Sequence, residues 1–151
     1  MIAACGIFQV TDPERFRRRK ARLSRFVSDR LEEVSESYLG HGVRHVAGPL
    51  DFADPLVALE RGIAPTRPLP AFFAPVGTKD PLLDDTRRLA AALERLGVRV
   101  EARYYRGEMH AFHAFVFLPN ARRCWADIYE FLDGALAPEV GAGRLDAGCT
   151  A

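Results

Sequence analysis

Apolar positions along the chain follow two periods in turn, one suited to strands and one to helices. Ile2 to Phe8 is a short, mostly apolar run of the kind found in a strand covered on both faces. Thr11-Asp12-Pro13 stops it, and Asp12 before Pro13 and Glu14 predicts a helix start with proline in the first turn. From Ser24 to Leu39 the residues Val27, Leu31, Val34 and Tyr38, with Phe26 and Leu39 beside them, predict one buried helix face that Gly40 ends. His41 to Leu69 holds Gly42, Gly48, Gly62 and four prolines, which predicts loop with one turn of helix near Asp54 to Glu60. Ala71 to Val76 reads as the next buried strand, although Pro75 argues for an edge, a strand end or a bulge. Beyond Pro81, Leu82, Leu89, Leu93 and Leu96 share a helix face, Asp84 and Asp85 suit its positive end, and Gly97 supplies the stop. Val98, Val100, Ala102 and Tyr104 alternate with Arg99, Glu101, Arg103 and Tyr105, predicting a strand with one wetter face near the sheet edge. Asn120 to Leu136 is the last predicted helix, with Cys124, Trp125, Ile128, Phe131, Leu132 and Leu136 facing inward.

Strand, helical stretch, strand, helix, strand, helix is an α/β layout with parallel strands joined by helices. The pattern predicts one unit over residues 1–138, with a helical insert at 13–39 and a flexible tail at 139–151. Opening directly on a core strand is unusual, and leads to the expectation that the chain is the back part of a longer fold.

Composition narrows the function classes. With 151 residues, 48% apolar and 27% charged, the chain has the make-up of a soluble globular domain. A formal net charge of +1 gives no global attraction to nucleic acid or to an anionic membrane. The run Arg17, Arg18, Arg19, Lys20 and Arg22 is either a phosphate or RNA contact or a solvated helix face, and the lack of interleaved aromatics favours the second. No apolar run approaches the roughly 20 residues of a membrane span, and the amino terminus lacks the basic start and cleavage site of a signal peptide. Cys5, Cys124 and Cys149 are odd in number and lack paired metal spacing, so they read as free thiols in a reducing, cytoplasmic compartment. His41 and His45, four apart but without acidic partners, read as loop residues rather than metal ligands.

The candidate chemistry lies between Val76 and Phe112. Asp80 follows one predicted strand and His110 the next, thirty residues on, which leaves room for one helix and one strand. In a parallel sheet such positions lie at the carboxyl ends of neighbouring strands, where open α/β sheets place their sites. A carboxylate that orients an imidazole fixes its tautomer and stabilises the imidazolium formed on proton uptake. Each residue has an alternative: Asp80 could cap the following helix through a backbone N–H, His113 competes with His110, and Asp54 carries the same Asp-Pro-Leu letters without a preceding apolar strand. Cys5 is a thiol inside the first predicted strand, a conceivable nucleophile but more simply a core residue.

Gly77-Thr78-Lys79-Asp80-Pro81-Leu82-Leu83-Asp84 and Tyr105-Arg106-Gly107-Glu108-Met109-His110-Ala111-Phe112 resemble the carboxyl-terminal half of an α/β-hydrolase, specifically the hormone-sensitive-lipase-like carboxylesterases. That family shows Gly-x-x-Asp-Pro-Leu-x-Asp after a strand, then Tyr-x-Gly-x-x-His-Gly-Phe after the next. Asp54-Pro55-Leu56 and Leu69-Pro70 resemble its Ser-Pro-Leu and Leu-Pro-Pro landmarks. The resemblance implies a partial α/β-hydrolase fold with Asp80 as triad acid and His110 as base, Ala111 standing where glycine is usual. It also implies a small-molecule ester substrate and no metal or organic cofactor. Phe16, Phe26 and Tyr38 of the insert would then either line an acyl pocket or pack on the sheet. The four serines, Ser24, Ser28, Ser35 and Ser37, do not stand in Gly-x-Ser-x-Gly, and a His-Gly-Gly loop for oxyanion donors is missing. The expectation is a serine-type carboxylic ester hydrolase lacking its nucleophile half and inactive by itself. The alternative is a non-enzymatic remnant or interaction module, forming a homodimer through a sheet edge at Ile2 to Phe8.

Overall fold

The computed structural model describes residues 1–18, 24–40, 53–63 and 65–137. His41, His45, Lys20, Arg22, Cys149 and the tail after Pro138 lie outside them. Helices α1 (Arg15–Arg18) and α2 (Arg25–Leu39) lie in the stretch expected as the insert, and α3 (Pro55–Glu60) falls where one turn of helix was expected before the sheet. β1 (Phe72–Gly77), α4 (Leu83–Arg95), β2 (Val100–Tyr105) and α5 (Pro119–Leu136) follow, with a 3-10 turn at Phe112–Ala114.

β1 and β2 run parallel, Phe72 opposite Val100 and Gly77 opposite Tyr105. Every residue of β1 is buried. Its other side meets the amino terminus: Phe73 N–H donates to the Met1 carbonyl at 2.9 Å, Ala3 N–H to the Phe73 carbonyl at 2.8 Å and Cys5 N–H to the Pro75 carbonyl at 3.3 Å. The strand expected over Ile2 to Phe8 is therefore reduced to one parallel bridge, Ile2 with Phe73. Pro75 explains the shortening. Odd-numbered residues of β1 face the amino-terminal segment, and the bond that would fix a second bridge needs a proline N–H that does not exist. Pro75 thus sits inside a buried strand rather than at an edge, and its cost is one rung of the ladder.

Two apolar clusters cover the sheet. Ala3, Leu56, Phe72, Ala74, Leu89 and Leu93 pack on the side of α3 and α4. Phe73, Tyr105, Phe112, Cys124, Ile128 and Phe131 pack on the side of α5, with the Phe73 and Phe131 rings 5.5 Å apart. A third group, Phe16, Leu31 and Leu82, seats the insert against the start of α4.

Three expected faces differ. In α2, capped by Ser24 and ended by Gly40, the buried residues are Ser28, Leu31 and Ser35, while Phe26, Val34 and Tyr38 are exposed. Small hydroxyl residues lie on the packed side because Ser35 returns its own hydroxyl to the Leu31 carbonyl at 2.9 Å and needs no other partner. In β2, Tyr105 rather than Tyr104 is buried, since its ring meets Phe112 at 4.9 Å and its hydroxyl reaches Asp127 at 2.5 Å. In α5, Trp125 and Leu136 are not core residues; Trp125 keeps one side in solvent while its indole N–H donates to the His113 carbonyl at 2.9 Å.

Polar ties fix the remaining geometry. Arg15 is buried and donates to Asp85 at 2.7 Å, linking the insert to α4. Arg88 grips Glu60 with two bonds of 2.7 Å and also reaches Gln9 at 2.8 Å, joining α4, α3 and the amino-terminal segment. Arg18 pairs with Asp12 and Glu14, a solvated arrangement at the start of the basic run. No described helix is long and apolar enough to cross a membrane.

Candidate active site

Asp80 stands in the turn between β1 and α4, where the strand has ended and the helix has not begun. Its Oδ1 accepts the Leu82 N–H at 2.8 Å, closing that turn. Its carboxylate also faces His110, with Nδ1 at 3.1 Å from Oδ2 and 3.3 Å from Oδ1. The helix-cap alternative for Asp80 is not what forms: the residue at the N-cap of α4 is Leu82, without a side-chain cap bond, and the Asp80 carboxylate instead closes the preceding turn while facing the histidine. Its side chain has no solvent exposure, whereas that of His110 is 51% exposed.

His110 is brought there by the turn after β2. Gly107 takes a φ of 83°, which favours glycine, and its N–H donates to the Thr78 hydroxyl at 2.8 Å. Lys79 N–H donates to the Glu108 carbonyl at 2.9 Å. Gly77 permits this approach, because a Cβ there would lie 2.2 Å from the same carbonyl oxygen. The two turns are therefore one clasp, and its contents are the acid and the histidine.

Electrostatics agrees with this pairing. Burial pushes the Asp80 carboxyl up, but the bonds from His110 and the Leu82 N–H outweigh it and hold the group below the usual carboxylate range. The same contact raises the His110 imidazole above its ordinary value, against a smaller opposing effect of burial. An ionised Asp80 can only accept, so the shared proton belongs to Nδ1 and the neutral ring presents its Nε2 lone pair on the opposite side. His113 lies apart: its ring meets Phe112 edge-on and Trp125 at 6.4 Å, and burial followed by the nearby His110 lowers its pKa.

Asp54 does different work with the same neighbours in sequence. It is buried and accepts the Val10 N–H at 2.7 Å, the Thr11 N–H at 3.0 Å and the Thr11 hydroxyl, pinning the amino-terminal segment to α3. Phe16 is fully packed and Phe26 and Tyr38 are exposed. Among the described residues no hydrogen bond joins a serine hydroxyl to His110: Ser24 caps α2 and Ser35 bonds Leu31. A cleft of about 300 Å³ lies elsewhere, between β2 and α5, lined by Arg103, Tyr105, Arg106, Asn120 and Arg123.

Cys5 is the site residue that the pattern of apolar positions concealed. It is not in mid-strand but just past the bridge, with a φ of 48°, and its buried thiol lies beside Asp80 and His110. Burial pushes that thiol up to about 12, partly offset by the Ala111 N–H, with the Asp80 carboxylate raising it further. Ala111 also has a positive φ, 57°. Among the described residues these are the two non-glycine positions in the left-handed region, and both adjoin the dyad. Lying inside the apolar run Ile2 to Phe8, Cys5 carried no sequence signal that set it apart from a core residue.

The sequence profile of a family described as the alpha/beta hydrolase fold matches residues 3–114. An esterase from Acinetobacter venetianus is 38% identical over 64 residues, which cover 42% of this chain and 21% of that protein. Among solved structures, an esterase from the bacterial hormone-sensitive lipase family superposes with a TM-score of 0.66 at 21% identity, covering 89% of this chain and 42% of the other. A hormone-sensitive lipase from a metagenome library gives a TM-score of 0.64 at 21% identity over 89% and 44% of the two chains. The chain thus spans less than half the length of each of these proteins.

Proposed function

Because the chain belongs to the α/β-hydrolase fold family, we propose that it supplies the acid and base of a serine-type carboxylic ester hydrolase, with Asp80 orienting His110. The observation that carries this reading is the 3.1 Å contact between His110 Nδ1 and the fully buried Asp80 carboxylate, with the rest of the imidazole half open to solvent. In this reading Nε2 takes the proton of a seryl hydroxyl as its oxygen attacks the ester carbonyl, and Asp80 stabilises the imidazolium. The imidazolium then gives that proton to the departing alkoxide. Water, deprotonated by the same nitrogen, attacks the acyl carbonyl, and the imidazolium returns that proton to the seryl oxygen as the acid leaves.

The serine is the part these residues do not provide in recognisable form, since no Gly-x-Ser-x-Gly occurs in the sequence. The 151 residues alone are therefore expected to give no turnover of p-nitrophenyl esters; turnover lost in His110→Ala would contradict this. The reading itself is tested by a chimera in which residues 1–137 replace the matching portion of a hormone-sensitive-lipase-family esterase. Hydrolysis of p-nitrophenyl butyrate that disappears in the His110→Ala chimera supports the assignment. A folded chimera equally active with and without His110 rejects it.

A further inference from the structure

The hydrolase reading gives Cys5 no task, yet its sulfur, an Asp80 oxygen and a His110 nitrogen lie within 4.8 Å of one another. They arrive from three separate segments: the amino-terminal bridge, the turn after β1 and the turn after β2. We propose that Cys5, Asp80 and His110 form a binding site for a zinc-like divalent cation, held by Sγ, one carboxylate oxygen and Nδ1, with a fourth position open to solvent.

The donor set selects the ion. Thiolate and imidazole favour zinc and cobalt, whereas magnesium and calcium require oxygen ligands. Three protein donors with an open fourth position is a familiar zinc arrangement, and ligand bonds of about 2.0–2.3 Å put tetrahedral donors roughly 3.3–3.8 Å apart. Nδ1 and the Asp80 oxygens, 3.1 and 3.3 Å apart, already stand at about that spacing. With one thiolate among the donors, whose tetrahedral distance to nitrogen or oxygen is about 3.5 Å, the widest gap in the triangle has to close by no more than about 1.3 Å.

The surroundings hold the donors in place. The left-handed turn at Cys5 and its 3.3 Å backbone bond to the Pro75 carbonyl fix the Cα from which the thiol projects. The Leu82 N–H fixes one Asp80 oxygen, and the Cys5 sulfur lies 3.9 Å from the Pro75 carbonyl, held against the buried strand. The half-exposed imidazole gives an entry path.

Protons balance simply. Binding to the neutral dyad sends the Cys5 thiol proton to solvent, while the imidazole loses the proton on Nδ1 and gains one on Nε2. One proton leaves per ion, so affinity rises about tenfold per pH unit while the free thiol stays protonated. The cation occupies the place of the Asp80–His110 hydrogen bond and leaves Nε2 without its lone pair. Loss of base function on metal binding rests on the hydrolase reading; the binding does not.

The test uses Co²⁺ as a spectroscopic probe of the 151-residue chain, reduced and freed of metal beforehand. One equivalent is expected to give a thiolate-to-cobalt charge-transfer band and strong four-coordinate visible bands, both displaced by Zn²⁺. Cys5→Ser should abolish the charge-transfer band and weaken Zn²⁺ binding at least about a hundredfold, since a direct ligand is worth no less than the roughly 10–100-fold of an outer-shell partner. The double substitution Cys124→Ser, Cys149→Ser should change neither. A band that survives Cys5→Ser, or that is lost in the double variant, overturns the site. For the unsubstituted chain, imidazole ¹⁵N spectra must show His110 passing from the Nδ1–H to the Nε2–H tautomer on adding Zn²⁺; an unchanged tautomer at saturation overturns it too. Neither readout involves ester turnover, so this site and the hydrolase reading can fail separately.

Discussion

The chain contains two Asp-Pro-Leu triplets, and they behave as opposites. Asp54 opens α3 and Asp80 precedes α4, and both are buried. Asp54 spends its oxygens on the Val10 and Thr11 backbone and the Thr11 hydroxyl, so it is saturated by its own fold. Asp80 accepts one bond from the Leu82 N–H and turns the remainder toward a half-exposed histidine. What separates them is where the carboxylate is placed. Asp80 sits at the carboxyl end of a buried parallel strand beside the matching end of β2, whereas Asp54 opens α3 with its oxygens turned to the amino-terminal segment. The same three letters give a brace in one setting and a candidate catalytic group in the other.

The largest expected effect separates the two acids by activity. In the chimeric esterase, Asp80→Asn should lower kcat by about ten-thousandfold, the order of loss seen when a triad acid becomes an amide. Asp54→Asn should leave kcat within about threefold, because its partners belong to the fold and not to the histidine. Equal losses would erase the distinction.

Stability should reverse the order. Asp54→Ala strips the acceptor from the buried Val10 N–H and from Thr11, and at about 1–3 kcal/mol for each buried group left unpaired the expected loss is about 2–4 kcal/mol in urea unfolding. Gly77→Ala probes the clasp around Asp80 instead. The new Cβ meets the Glu108 carbonyl at 2.2 Å, and the forced shift should cost about 1–3 kcal/mol and displace His110. It should therefore depress chimera activity more than Asp54→Ala does at matched stability.

The smallest effect concerns Ala111. A left-handed alanine costs about 1–2 kcal/mol, and replacing it with glycine returns about 0.4–1 kcal/mol of unfolded-state entropy. Ala111→Gly should thus stabilise by about 0.5–1 kcal/mol, read as a higher urea midpoint with an unchanged slope.

Much of this was legible in the sequence because local rules and tertiary packing agreed. The period of Leu89 and Leu93, the stop at Gly97 and the spacing of Asp80 and His110 survive in α4, β2 and the clasp between them. Failures came where a partner distant in sequence decided the outcome. Pro75 looked unsuited to a central strand, but it needs to forgo only one bond because that side meets a short amino-terminal segment. α2 buries Ser28 and Ser35 in place of Val34 and Tyr38, since the buried stripe is set by Phe16 and Leu82, which no period within α2 encodes. The buried Arg15–Asp85 pair joins residues 70 apart, and Cys5 meets Asp80 only after the sheet has formed.

The dyad also predicts a sign for pH. His110 is held above 6.5 by Asp80, so its contribution to stability is complete below 6.5 and is lost as pH rises through the folded-state value. Asp80 is held below 3.8, so its contribution is present above 3.8 and is lost as pH falls through its folded-state value. The pair stabilises most between those two reference values.

The most direct measurement is the imidazole titration of His110 by NMR in metal-free buffer, on the 151-residue chain and on its Asp80→Asn and Asp54→Asn variants. A pKa above 6.5 is expected, with the proton of the neutral ring on Nδ1, a clear fall in Asp80→Asn, and no change in Asp54→Asn. A His110 pKa that is the same in all three proteins, or that falls only when Asp54 is changed, would contradict the pairing on which the functional reading stands.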